Sequence, residues 1–267
     1  MDKEAYLYMK FDMHCHTKAG SIDARISIEE YIELLQQQGF DGMLVTDHDS
    51  YKGYRYWLDN RAKMPSDFVV LKGVEYDTKD AGHFIVIMPD DIHLKVLEIR
   101  GMSVELLVKV VHHFGGILGP AHPFGARSSS AMLFKRMQTD PSIIKSFDFL
   151  EGFNTCETPS ANKKARDLAD EYGLPCTGGS DSHKRDYVGM AFTDFGRPIT
   201  CNNDMIACIK ERDIAAFGGT ERTFLKKHKK RNSVFATYGF RSYNRSLGFV
   251  FSPYRAHKIK KLALHMP

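Results

Sequence analysis

Histidine, aspartate and glutamate recur where apolar runs stop. His14 and His16 follow the run that ends near Met13, and Asp47 and His48 close GMLVTDHD. Glu75 falls in FVVLKGVEYDT, His122 follows GILGPA, and Asp181 and His183 end LPCTGGSDSH. In an extended segment the imidazoles of His14 and His16 project to one side, with Cys15 facing the other way. Same-side imidazoles can share or bridge closely placed Zn, Mn or Fe ions, or they can be an ordinary surface pair. Their company favours the first reading. Six of the twelve histidines (His14, His16, His48, His83, His122 and His183) fall at such positions or in the associated loop, together with Glu75 and Asp181.

Carboxylates and imidazoles buried together need compensating charge, which metal ions supply. Asp181 and His183 repeat the same-side spacing with a carboxylate. Eight residues are candidate ligands: His14, His16, His48, Glu75, His83, His122, Asp181 and His183, with Asp23 as a ninth. That is too many for one zinc ion and suits two or three divalent metals. Such a cluster suits phosphoester hydrolysis, by lowering the pKa of a water and neutralising phosphoryl charge. Arg127, Lys184 and Arg185 are candidate phosphate clamps, each also readable as an ordinary exposed base.

The elements that must position these residues alternate in type. Ser27 reads as an N-cap with Glu30 completing an S-x-x-E box ahead of an amphipathic helix. Further helical patterns cover Met102–Phe114, Ala161–Tyr172 and Asp204–Glu211, between strand-like runs. Strands separated by helices imply βαβ units, a mostly parallel sheet and an α/β barrel whose C-terminal strand ends open on one face. His83 is the exception. It begins its apolar run, so it reaches that face only from an antiparallel strand or a preceding loop.

The chain has 267 residues, 43% of them hydrophobic, enough for one barrel of ordinary size. Its five cysteines are scattered without CxxC spacing, which argues against a disulfide framework or a cysteine zinc site. There is no apolar leader and no run long enough to span a membrane, so a reduced, cytoplasmic protein without a membrane partner is expected. Net charge is +4 but uneven: Glu221 to Pro267 holds twelve Lys and Arg against one acid, leaving 25 basic and 32 acidic residues before it.

HCHT, TDHD, GVE…H, AHPF and GGSDSH, in this order, resemble the polymerase and histidinol phosphatase (PHP) family of metal-dependent phosphoesterases, in its stand-alone form. The likeness runs from about Phe11 to Asp194. It implies an α/β fold, a distorted (β/α)7 TIM-like barrel, binding two or three divalent ions (Zn, Mn, Fe or Mg). By motif, His14, His16 and His48 would be ligands, Glu75 would bridge two ions, and His83, His122, Asp181 and His183 would complete the set. Asp47 would serve catalysis by orienting an imidazole. Arg127 and Lys184 would act on the phosphate, and Asn154 and Arg185 would stand on the substrate side. There are departures. Many relatives carry Asp where Ser21 stands, so Asp23 is the candidate replacement, and AHPFGAR stands in place of AHPxR.

The expected organisation is a barrel over 1–220 and a basic, aromatic-containing extension over 221–267 that packs on it. The extension mixes bases with aromatics, a pattern that can also bind single-stranded nucleic acid; Phe235, Phe240, Leu247, Phe249, Val250 and Phe251 suggest that part of it folds. The leading expectation is hydrolysis of a phosphate monoester or diester of a small metabolite or nucleotide. The alternatives are an oligonucleotide-directed nuclease or 3′,5′-bisphosphate nucleotidase, and a metal-binding regulatory domain with little turnover.

Overall fold

The computed structural model describes residues 8–65, 67–125, 129–222, 242–243 and 246–263. Nine strands are seen among them: β1 (Met9–Cys15), β2 (Gly42–Val45), β3 (Val69–Asp77), β4 (His83–Ile87), β5 (Ile117–Pro120), β6 (Leu150–Asn154), β7 (Cys176–Gly179), β8 (Ala191–Phe195) and β9 (Ile214–Gly219). The helices are α1 (Ile28–Gln36), α2 (Lys52–Asn60), α3 (Val104–His113), α4 (Lys135–Thr139), α5 (Pro159–Tyr172), α6 (Asn202–Lys210) and α7 (Ser252–Ala263).

One sheet has the order β5-β4-β3-β2-β1-β8-β9, and β6 pairs with β7. The long sheet curls. At one end Asp148 N donates to Leu118 O (2.9 Å), which joins β5 to the start of β6. At the other, Asp181 N donates to His14 O (2.9 Å) beside a parallel bridge between Cys15 and Ser182. The result is a curled, distorted α/β barrel, with β8 and β9 continuing the sheet from β1.

The expectation of a mostly parallel sheet needs correcting. β4 pairs antiparallel with both β3 and β5, and β8 pairs antiparallel with β1 and β9. β1, β2, β3, β5, β6 and β7 share one direction. The reason lies in the connection: only Thr78 to Gly82 separates β3 from β4, too short for a helical crossover. Reversal puts the first residue of β4, His83, opposite Asp77 at the end of β3.

Packing explains why the strand ends are rigid. Leu71, Gly73 and Glu75 alternate onto one face of β3, and Ile85 pairs with Glu75 across β4. Buried Leu44, Leu71, Ile85, Ile87, Ile117 and Phe149 therefore form an apolar floor beneath the carboxylate. Outside, α1 buries Ile28, Tyr31, Ile32 and Leu35, and α3 buries Val104, Leu107, Val110 and Val111. Ser27 caps α1 by accepting from Glu30 N (3.3 Å), but the Glu30 carboxylate goes to Arg185 instead of closing the box.

Of the extension after Glu221, little beyond residues 242–243 and 246–263 is described. Ile259 and Leu262 of α7 pack against the buried cluster around Val104 and Leu107. Phe249 and Val250 are exposed in a helical turn, and Phe251 is also exposed. Phe235, Phe240 and the Lys226–Arg231 run lie outside the described residues.

Candidate metal centre

Glu75 sits at the centre. Its Oε1 lies 2.8 Å from His83 Nδ1 and 3.0 Å from His122 Nε2. Its Oε2 lies 2.8 Å from His48 Nδ1, 3.3 Å from His16 Nε2 and 3.5 Å from His14 Nε2. Four different strands and their following turns supply these rings. They meet because β1, β2 and β5 end where β3 ends and β4 begins.

Asp181 and His183 arrive from the turn after β7. Asp181 Oδ1 is 3.3 Å from His16 Nε2 and 3.7 Å from His14 Nε2. His183 Nε2 is 3.4 Å from His48 Nε2 and 3.4 Å from Asp23 Oδ2, and His48 Nε2 is 3.7 Å from the same Asp23 oxygen. Asp23 thus stands with His48 and His183 at the rim, while Ser21 occupies a deeper place. Ser21 Oγ is 3.3 Å from His16 Nδ1 and donates to Asp47 Oδ1 at 2.8 Å.

The rings are held from behind. Glu151, which the sequence reading passed over, is buried; its Oε1 meets His14 Nδ1 at 2.8 Å, while its Oε2 accepts from His122 N (2.5 Å) and Asn154 Nδ2 (3.0 Å). The signal was an acid inside the apolar run FDFLEGFN. Asp47 accepts from Thr17 N (2.7 Å), Thr17 Oγ1 (2.8 Å) and Ser21 Oγ. A Cβ at Gly20 or Gly53 would come within 1.9 or 2.1 Å of Asp47 Oδ2, so glycine leaves the room this carboxylate needs. Carboxylates behind imidazoles fix the tautomer and leave the far nitrogen free to ligate.

Backbone strain marks the same place. His122 (φ 32°) and Asp181 (φ 51°) occupy the left-handed region without being glycine. Such residues cost about 1–3 kcal/mol each and persist where surroundings over-determine them. Glu151 on His122 N and His14 O on Asp181 N supply that determination.

Charge is arranged in opposition. Burial works against ionising Glu75 and Asp181, yet the surrounding histidines hold both carboxyls well below their ordinary range. Burial also works against His14, but Glu151, Asp181 and Glu75 raise its pKa well above normal. His16 goes the other way, lowered by burial and by His183 and His48. Asp47 is pushed up to about 6 by burial, against the hydrogen bonds from Thr17 and Ser21.

These donors fit cations better than protons. Buried Glu75 Oε2 has no well-directed hydrogen bond despite its three imidazole neighbours. His14 Nε2 and His16 Nε2 face each other at 3.0 Å, where one proton at most can lie between them. Neighbouring donors on a tetrahedral cation with ligands at about 2.0–2.2 Å stand about 3.3–3.6 Å apart. The separations among His14, His16, Glu75 Oε2 and Asp181, 3.0–3.7 Å, lie close to that range. His14–His16–Glu75, His48–Glu75–His83 and His16–His48–His183 each form a compact donor group.

The substrate-side candidates fall differently. Asn154 is fully buried, and its side chain is engaged by Glu151 and by Cys156 N (2.8 Å). Lys184 is exposed just beyond His183, and Arg185 meets Glu30 at 2.9 Å on the surface beside α1. Arg127 lies outside the described residues.

Known proteins align with this picture. A family model described as PHP domain matches residues 12–172, and one described as PHP-associated matches residues 159–214. No curated protein matches in sequence. Among solved structures, PsfC from Pseudomonas syringae PB-5123 superposes with a TM-score of 0.60 at 17% identity, covering 90% of this chain and 99% of that one. A two-domain protein from Bacteroides vulgatus ATCC 8482, described as containing a predicted PHP-like metal-dependent phosphoesterase, gives 0.62 at 16%, covering 82% and 67%. The lesion-specific endonuclease PfuEndoQ from Pyrococcus furiosus gives 0.59 at 16%, covering 80% of this chain and 59% of that chain. With more than half its length matched by the PHP domain model and the PHP-associated model following it, the chain belongs to the PHP family.

Proposed function

We propose that this protein is a divalent-metal-dependent phosphoesterase, hydrolysing a phosphate monoester or diester of a small metabolite or nucleotide. The observation that carries the reading is the convergence of His14, His16, His48, His83, His122, Asp181 and His183 around Glu75. Two or three ions of the Zn, Mn, Fe or Mg type would be held by these residues, with Asp23 at the outer position. When bound, they supply an acidified water and offset charge on the phosphoryl oxygens.

The chain's own groups prepare that site. Glu151 keeps the proton of His14 on Nδ1, and Ser21 with Asp47 keeps that of His16 on Nδ1, so both Nε2 atoms face inward as acceptors. Glu75 presents one oxygen to each of two ring groups and so bridges them. Lys184, exposed beside His183, and Arg127 are the bases assigned to the substrate phosphate. In this reading the barrel over 1–220 carries the chemistry, and the extension over 221–267 is a basic segment that packs on it. No disulfide joins any of the five cysteines, which suits a reducing, cytoplasmic setting. Among the described residues no helix is long and apolar enough to cross a membrane.

A second reading, cleavage of phosphodiesters in nucleic acid, is supported by the basic extension and by likeness to a protein described as a lesion-specific endonuclease. Elemental analysis and a phosphate-release screen test both. Two or three transition metals per chain are expected. Turnover is expected on nucleotides or metabolite phosphates, with short oligonucleotides cut only under the second reading. Replacing His14 or Asp181 by Ala abolishes turnover; full activity in metal-free protein overturns the mechanism.

A further inference from the structure

Arg100 lies between the 3-10 turn Lys95–Glu98 and α3, outside every motif above. Its side chain is 18% exposed, and it is bracketed by two acids. Nε and Nη2 both donate to Asp49 Oδ2, at 3.0 and 2.7 Å, and Nη1 stands 3.5 Å from Asp77 Oδ2. Asp49 directly follows His48. Asp77 lies two residues beyond Glu75 and pairs with His83 across the β3–β4 register. One half-buried cation therefore touches the neighbours of three candidate ligands.

The surrounding bonds turn these contacts into a clamp. Asp49 N donates to Glu75 O (3.0 Å), and Asp49 Oδ1 accepts from Asp77 N (2.9 Å). Asp77 Oδ1 stands 3.8 Å from His83 Nε2. Asp49 itself holds φ 45°, an unfavourable conformation for a residue with a Cβ, which the ladder and Arg100 must sustain. Without the guanidinium, two neighbouring carboxylates lose their shared counter-charge. The turn that aims His48 at Glu75 then loses its charge-assisted tie.

We propose that Arg100 is a positioning residue for the His48–Glu75–His83 end of the metal centre, and that the C-terminal helix seats it. Arg255 of α7 donates from Nη1 to Arg100 O (2.5 Å) and to Gly248 O (3.1 Å). Gly101 (φ 94°) makes that approach feasible, since a Cβ there would lie 3.0 Å from Arg255 Nη1. The proposal rests on the metal-centre reading and adds a route by which the extension bears on it.

Calorimetric titration of the metal-stripped full chain with Mn²⁺ separates the two. Arg100→Gln is expected to weaken one ion's binding by about 10- to 100-fold, the range for residues that orient ligands, while the other ions keep their affinity within about twofold. Arg100→Lys recovers only part of the loss, because an ammonium cannot reproduce the fork. Arg255→Ala gives a smaller loss at the same ion. A purely structural Arg100 would lower the melting temperature of the metal-free protein and leave every affinity unchanged, which overturns the proposal. If Arg100→Gln does not fold, Arg255→Ala decides, and unchanged affinities there overturn it. Wild-type protein that binds no Mn²⁺ sinks the metal-centre reading and this inference together; wild-type binding with indifferent variants sinks this inference alone.

Discussion

Glu75 has two oxygens and five imidazole neighbours, and no other residue of the site is so placed. Glu75→Gln keeps the shape but removes the charge that balances them. We expect metal content to fall by at least one ion per chain and turnover to drop by about 10³-fold or more, several kcal/mol of lost charge stabilisation. Glu151 makes a subtler case. Each partner it meets, His14 Nδ1, His122 N and Asn154 Nδ2, serves as a donor to it, so an amide at 151 must turn its NH₂ toward one of them. Glu151→Gln should cost about 10- to 100-fold in metal affinity with the circular dichroism spectrum unchanged. The cluster of candidate ligands was legible in the sequence because His-x-His and Asp-x-His are local spacings. Glu151 and Ser21 were not, since their roles depend on side chains that come from other strands. Asp23 was named only through a departure from the family pattern. Its place beside His48 and His183 emerges from the loop that Ser21 anchors beneath it.

At the scale of elements, strand positions that approach closely are as constrained as the ligands. A Cβ on Gly179 of β7 would meet His14 Cβ at 2.3 Å and Glu151 Oε1 at 2.6 Å. Gly179→Ala should therefore destabilise the fold by about 1–3 kcal/mol in urea titration, by overpacking β7 against β1. The 3-10 turn Lys95–Glu98, which follows β4, is pinned to α2 by charge instead. Buried Glu98 takes Arg55 (2.7 Å), Lys95 (2.7 Å) and Tyr51 N (3.2 Å), and although burial opposes ionisation these partners lower its pKa to about 2. A depressed carboxyl contributes stability above the unfolded value, near 4.5, and loses it as pH falls toward 2. Glu98→Gln should cost about 1–2 kcal/mol at pH 7, after discounting for the exposed Arg55 and Lys95. The gap in melting temperature should be flat from pH 8 to about 5 and close between about pH 4.5 and 2. Helix α2 had escaped the sequence reading because its stripe is short and only partly buried, with Tyr54 and Trp57 leaning on the core and Gly53 the one buried residue. Strands β8 and β9 escaped because their burial alternates or is partial, so neither reads as a continuous apolar run.

For the whole molecule, the barrel could be anticipated because polar residues stop apolar runs at five separate points, a pattern that makes sense only if those points meet. Strand direction could not be read from that pattern; it followed from the short β3–β4 connection, and His83 was the single residue whose position hinted at it. The same convergence sets the energetics. Glu75 and Asp181 are buried anions faced by six imidazoles, so without cations the barrel must hold several of those rings protonated against the cost of burial. A ligand that binds only the folded chain stabilises it by RT ln(1 + [L]/Kd), about 4 kcal/mol at a thousandfold excess over Kd. For a chain of this size that corresponds to roughly 8–16 °C in melting temperature per tightly held ion. Chelation at neutral pH should lower the melting temperature by at least that amount, and adding back Mn²⁺ or Zn²⁺ should restore it. The shift should shrink as pH falls below about 6, where protons compete for the ring nitrogens. A melting temperature indifferent to chelator and to added metal would mean that the rings and carboxylates satisfy one another without cations.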